Sequence, residues 1–381
     1  MKIAQNHLSR TDSINLGSFY TPIHIVSWFY DRIKAFPGFD EYTIVDTSCG
    51  YGSFLREEIK NRKIGIDIDE IAISKATAKG AEMYCRNSLY GVSRDSFNIA
   101  NNESIIIVGN PPYNDTTSII RSNIKNKNKK IEIDNDIKTR DLGMSFILSY
   151  DKLNADYVCI LHPLSYIIKR TNFSLIEKFM SNYRLIDSAV FSSSEFNGTS
   201  KAMSFPVLAA IYKKDKIGMK YEDIINYNFK TIDGKCFRMS EYDYINRYLN
   251  KYPNKNRIKN KNNIVAKFYT MRDVNALRRS RTFIEEDMAN TVYIEKEKLP
   301  YYCYVDIFKK YTDKIPYYFG NFDIIIDIDE FNKNKDAFIY ESISTNDVLK
   351  NKFKFREVLN SKVKIEEYFR KLLGEHYVEG R

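Results

Sequence analysis

Long apolar runs are missing from this chain of 381 residues, and no stretch is long enough to span a bilayer. The opening Met1-Lys2-Ile3-Ala4-Gln5-Asn6 lacks the apolar segment of a secretory signal. Cysteines are few and scattered: Cys49, Cys85, Cys159, Cys236 and Cys303 include no CxxC pair. The four histidines (His7, His24, His162 and His376) do not fall near them at zinc-ligand spacing. Neither a disulfide framework nor a structural metal is indicated, which suits a reducing compartment. The expectation is a soluble cytoplasmic protein with no membrane and no metal among its partners.

Positive charge is what the chain has in excess. Lys and Arg number 59 against 49 Asp and Glu, a formal net charge of +10. Such a surplus favours a polyanionic partner or an anionic surface. Lys, Asn, Ile and Tyr all run high, however, and that composition alone raises charge, so charge does not select a partner by itself.

The length allows two domains of roughly 100–200 residues each. Between residues 42 and 213 short β-branched runs alternate with longer helical stretches. Strands are expected at 42–46, 63–67, 104–109, 156–161, 185–191 and 206–212, with helices at 53–60, 69–83, 142–152 and 173–181. The run Ser104-Ile105-Ile106-Ile107-Val108-Gly109 is continuously apolar, as in a central strand covered on both faces. The alternation implies an α/β fold, a doubly wound and mostly parallel sheet of the Rossmann-like kind. Residues 121–140, rich in Lys, Asn, Asp and Ile, interrupt it as a polar loop, which either orders over a bound polyanion or stays disordered. Past residue 213 the period is lost, so the expected domains are 1–214 and 215–381, the second of mixed α and β structure.

Ile44-Val45-Asp46-Thr47-Ser48-Cys49-Gly50-Tyr51-Gly52-Ser53 reads as a strand, a glycine turn and a helix start. Glycines there let backbone approach a ligand that a Cβ would block. The pattern is neither GxGxxG nor a P-loop. Some twenty residues on, Gly65-Ile66-Asp67-Ile68-Asp69 ends the next strand on an acid suited to ribose hydroxyls. Together they point to a nucleoside-containing ligand.

Gly109-Asn110-Pro111-Pro112-Tyr113 follows the most apolar strand, at the end where open α/β sheets bind ligands. An exocyclic amine on an aromatic base is a poor nucleophile, because its lone pair is delocalised into the ring. Two acceptors aimed at its hydrogens draw the nitrogen toward tetrahedral geometry. The Asn110 amide oxygen and the Pro111 carbonyl are such acceptors, the prolines fix φ, and Tyr113 supplies a stacking face. The plain alternative is a turn after a strand; its position downstream of a matching nucleoside site favours chemistry.

The sequence thus resembles the adenine-N6 DNA methyltransferases of restriction–modification systems, over roughly residues 16–213. Gly17-Ser18-Phe19-Tyr20-Thr21-Pro22 is similar to the family's N-terminal motif, and Asn110-Pro111-Pro112-Tyr113 to its catalytic tetrapeptide. The order of motifs resembles the gamma arrangement, with target recognition in the C-terminal extension. The resemblance implies S-adenosylmethionine as cofactor, held by Tyr20, Thr21, Pro22, Asp46, Ser48, Cys49, Gly50, Gly52, Asp67 and Ile68. Asn87 stands where the family often has an Asp against the cofactor's adenine. Phe196, or failing it Phe191, would sandwich the target base against Tyr113.

The implied partner is double-stranded DNA, with a separate cognate restriction endonuclease as a further one. The reaction implied is direct methyl transfer to a base flipped from the duplex. For DNA contacts the sequence offers Lys255, Arg257, Lys259, Arg272, Arg278, Arg279 and Arg281, interleaved with aromatics. Glutamine methylation of a protein, adenine methylation of RNA and a catalytically inactive DNA-binding subunit remain the alternatives.

Overall fold

A computed structural model describes residues 21–113, 132–196, 204–258 and 260–379. They fall into two compact units, one ending at Cys236 and the other beginning at Phe237.

The first unit is built on one seven-stranded sheet. Its strands are β1 (Thr43–Asp46), β2 (Lys63–Asp67), β3 (Ala81–Cys85), β4 (Ile105–Gly109), β5 (Tyr157–Pro163), β6 (Tyr183–Ser192) and β7 (Pro206–Lys214). Their order is β3-β2-β1-β4-β5-β7-β6. Pairing is parallel from β3 through β5, and β7 runs antiparallel to both neighbours. The sheet is therefore doubly wound and mostly parallel, as the alternation implied.

Every residue of β1 and β4 is buried. Helix α1 (Ile23–Ile33) covers one face, laying Ile25, Val26, Phe29, Tyr30 and Ile33 on Ile106, Val108, Cys159 and Leu161. A side chain such as Phe29, fully buried here, contributes roughly 1.5–3 kcal/mol. Ile105 and Ile107 point to the opposite face by the strand pleat and are equally buried, so both faces are covered.

Three helical expectations need correction. Residues 53–60 form only a short turn, Ser53–Leu55. The Lys63 amine donates to the carbonyls of Leu55 and Glu57, taking acceptors a helix would give its own amides. Residues 69–83 form a helix, α2, only over Glu70–Lys75. The chain then turns at Gly80 (φ +71°), and Ala81–Cys85 pairs along the length of β2, from Lys63↔Ala81 to Asp67↔Cys85. Ladder bonds to a distant strand outweigh the helical propensity of an alanine-rich segment. Residues 173–181 are split between short helical turns at Arg170–Phe173, Ser174–Ile176 and Glu177–Met180. Helix α3 (Leu142–Lys152) spans the expected residues and is buried from Leu142 through Tyr150.

Beyond the last strand the chain stays on the first unit. Asp215 N donates to Asn182 O at 2.8 Å, Tyr221 Oη to Ile168 O at 2.7 Å and Ile232 N to Val190 O at 3.1 Å. The compact division thus falls later than the point where the strand–helix alternation ends.

The second unit mixes α and β. Strands β8 (Ile264–Tyr269) and β9 (Thr291–Glu295) pair antiparallel. Helices α4 (Leu299–Lys310), α5 (Ile328–Thr345) and α6 (Ser361–Leu373) pack around Tyr304. Its ring centroid lies 5.2–6.2 Å from those of Phe331, Phe338, Tyr368 and Phe369. Its hydroxyl donates to Ile325 O at 2.7 Å, so a buried phenol is satisfied.

Candidate active site

Strand β1 sits between β2 and β4, so successive connections leave it in opposite directions. The carboxyl ends of β1 and β4 border the crevice that such a reversal opens. Both sequence motifs start there.

Asp46 ends β1 with its carboxyl buried, accepting from the Ser48 amide at 3.1 Å. Burial pushes this carboxyl up to about 8, against the Ser48 hydrogen bond, and the charge of Asp67 adds to the rise. Gly109 ends the adjacent strand at φ +149°, and a Cβ there would stand 2.8 Å from Asp46 Oδ1. Only glycine lets β4 pass this carboxylate. The acid of one motif and the entry to the other are therefore in direct contact.

The glycine turn is tied down from β2. Cys49 N donates to Ile66 O at 3.0 Å, and Gly50 N to Asp67 Oδ2 at 2.7 Å. Asp67 Oδ1 accepts from Asp69 N at 2.9 Å. The Ile68 amide also donates to this carboxylate, which still has acceptor capacity for a ligand's hydroxyl. Gly50 and Gly52 adopt φ of +50° and +77°, as the turn requires. Ile68 beside them is 54 % exposed, an apolar surface on the rim. Ser48 Oγ is buried without a hydrogen-bond partner among the described residues. An orphaned hydroxyl, a glycine cradle and a strand-end acid fit a polar, nucleoside-bearing ligand.

Ser88 Oγ donates to Thr47 O at 2.7 Å, fastening the loop after β3 to the same floor. Asn87 is occupied locally: its amide nitrogen donates to Glu132 O at 2.7 Å and its oxygen accepts from Leu89 N at 3.0 Å. Thr21 is buried, and the Pro22 carbonyl accepts from Ile25 and Val26 at the start of α1. Tyr20 lies outside the described residues, as do 121–131 of the expected polar loop.

Asn110, Pro111, Pro112 and Tyr113 leave β4 directly, with Pro111 buried and the other three half-buried. Burial raises the Tyr113 phenol, keeping it neutral. Phe196 is 3 % exposed and belongs to the core beneath α1. Phe191 is fully buried, edge-on to Trp28 at 6.3 Å. Both rings are core side chains in this structure.

The basic residues of the second unit divide by environment. Lys255, Arg257, Arg272, Arg279 and Arg281 are exposed. Arg278 is half-buried and donates to the carbonyls of Thr312 at 2.6 Å and Ile315 at 3.2 Å. Burial lowers the pKa of its guanidinium. Lys259 lies outside the described residues. Among the described residues no helix is long and apolar enough to cross a membrane, and no cluster of metal-ligating side chains occurs.

Sequence reasoning missed that Gly109 packs against Asp46. A glycine ending an apolar run was the available signal.

No protein-family model matches the chain, and neither does any curated protein. Solved structures do show similarity. The methyltransferase subunit of a type I restriction–modification system from Streptococcus thermophilus is 15% identical, over 59% of this chain and 48% of its own, with a TM-score of 0.36. A DrdV–DNA complex is 15% identical over 62% of this chain and 29% of that one, at a TM-score of 0.38. The Mtq2–Trm112 complex of E. cuniculi, which methylates a translation termination factor, is 13% identical over 52% and 99%, at 0.32. The chain thus spans under half of the first two, and the substrates in these names belong to those proteins.

Proposed function

We propose that the chain is an S-adenosylmethionine-dependent methyltransferase acting on adenine N6 in duplex DNA. The observation that carries this reading is the contact of Gly109 with Asp46 at the carboxyl ends of neighbouring strands. It makes one floor of the nucleoside-type cradle and the Asn110–Tyr113 segment.

In this reading Asp67 accepts from the cofactor's ribose, Gly50 and Gly52 give room for its backbone-side contacts, and Ile68 faces its adenine. Buried Asp46, neutral near pH 7, is driven to ionise by the cationic end of the cofactor, and Ser48 Oγ gains the partner it lacks. When bound, S-adenosylmethionine supplies an electrophilic methyl group on a sulfonium. Asn110 Oδ1 and the Pro111 carbonyl accept the two amino hydrogens of adenine, localising the lone pair on N6. No side chain need form a covalent bond to the substrate, and catalysis comes from positioning and fixed dipoles. Stacking on Tyr113, worth on the order of 1–3 kcal/mol, offsets part of the few kcal/mol spent in extruding the base. The unit from Phe237 onward is assigned to target recognition, with Lys255, Arg257, Arg272, Arg279 and Arg281 neutralising phosphates.

The test is to offer methyl-labelled S-adenosylmethionine with duplex DNA, total RNA or a protein extract. Label entering DNA alone supports the reading. Label in RNA or in protein would replace the substrate, and cofactor binding without transfer to any would favour an inactive DNA-binding subunit.

A further inference from the structure

Gly143 occupies the second position of α3, deep in the first unit. Glycine in a helix is less favourable than alanine, and Gly143 is not in the left-handed region that would excuse it. Space supplies the reason instead. A Cβ on Gly143 would stand 3.1 Å from Tyr113 Cβ and 2.6 Å from Tyr166 Oη. Two tyrosines converge on one hydrogen-sized gap.

Tyr166 is immobilised. It is 3 % exposed, and its hydroxyl donates to Asp141 Oδ1, which also accepts from Gly143 N at 2.9 Å as the cap of α3. Behind it the His162 ring lies parallel, with centroids 5.6 Å apart and planes 4° apart. His162 Nδ1 is 2.9 Å from Pro163 O and Nε2 is 2.8 Å from the Tyr212 hydroxyl. A carbonyl only accepts, so Nδ1 carries the proton and Nε2 accepts from Tyr212. Burial depresses the His162 pKa to about 4, so the ring is neutral near pH 7 and this pattern is fixed. A packed rod thus runs from β7 through His162 to Tyr166, whose hydroxyl borders the same gap at Gly143 as the Cβ of Tyr113.

We propose that Gly143, with Tyr166 braced by Asp141, forms a seat that fixes the Tyr113 ring before a substrate base arrives. These are positioning residues acting through Tyr113, and the inference rests on the methyltransferase reading above. A tyrosine ring turns about two side-chain torsions, and a stacking platform is effective only when both are set beforehand. The bonds of Asp46 and Asp67 go to Ser48, Gly50 and Asp69 and to none of His162, Tyr166 or Gly143, so cofactor affinity should change little.

A double-mutant cycle in single-turnover methyl transfer tests this, on whichever substrate the wild-type chain labels. Gly143→Ala alone should slow transfer by roughly ten- to a hundredfold, with S-adenosylmethionine affinity within twofold of wild type. In a Tyr113→Ala background the same change should cost less than twofold: the Cβ at 113 remains, but the ring whose direction it sets is gone. Tyr166→Phe, which keeps the ring and removes only the hydroxyl, should follow the same non-additive pattern with a smaller effect, and it serves if Gly143→Ala fails to fold. An equal loss in both backgrounds, or no loss in the wild-type background, overturns the seat while leaving the methyltransferase reading intact. Absence of transfer by the wild type to any substrate overturns that reading, and the seat with it.

Discussion

Replacing Gly109 with alanine should damage stability and cofactor binding together. The added Cβ would lie 2.8 Å from Asp46 Oδ1 and 3.2 Å from its Cγ, and φ of +149° is a conformation side chains resist. Backbone strain of this kind costs about 1–3 kcal/mol. Displacing the carboxyl also loosens its bond from Ser48 N, worth about 0.5–1.5 kcal/mol for the neutral acid present near pH 7. The sum is about 1.5–4.5 kcal/mol, a fall of roughly 3–18 °C for a unit of this size at about 2–4 °C per kcal/mol. Differential scanning calorimetry reads the first effect. Titration calorimetry with S-adenosylmethionine reads the second, expected as at least a tenfold loss of affinity, about 1.4 kcal/mol. A variant melting within about 2 °C of wild type with unchanged affinity would refute the claim that Gly109 joins the two motifs.

Other outcomes follow from the same contacts. Asp46 titrates near 8 in the folded chain against 3.8 ordinarily, so its share of stability is complete below about pH 4 and is lost as pH rises through about 8. A cationic cofactor favours the ionised form, so its affinity should increase between about pH 7 and 9, with proton release visible as buffer-dependent binding heat; Asp46→Asn should flatten the increase. Arg278→Ala should lower the melting temperature, because the Thr312 and Ile315 carbonyls lose a donor at about 1–3 kcal/mol. Arg279→Ala and Arg281→Ala should leave melting unchanged and each reduce the salt dependence of DNA binding by about one phosphate contact, seen as a shallower slope of log K against log salt.

Six of the sheet's seven strands were legible, and only β3 was hidden, inside a segment that reads as helix. Buried parallel strands need continuous β-branched runs, and residues 104–109 supply one with no competing reading. Helices were less legible where their ends are decided elsewhere. The boundaries of α2 depend on β3 pairing with β2, and the short turn after Gly52 depends on Lys63, a residue outside the segment it reshapes. At the site, the glycine turn and the Asn110–Tyr113 segment were visible as local patterns. Their junction at Gly109 and the Gly143 seat depend on distances of about 3 Å between residues far apart in sequence, which no local pattern encodes. Arg278 shows the opposite failure: a basic cluster reads as one surface until burial separates a carbonyl-bound member from its exposed neighbours.

The most direct measurement is nucleoside analysis of duplex DNA methylated by the chain, with Asn110→Ala run beside it. The account predicts label in N6-methyl-2′-deoxyadenosine, reduced at least about a hundredfold in the variant while S-adenosylmethionine binding is retained. Label in another nucleoside, or equal labelling by both proteins, would contradict it.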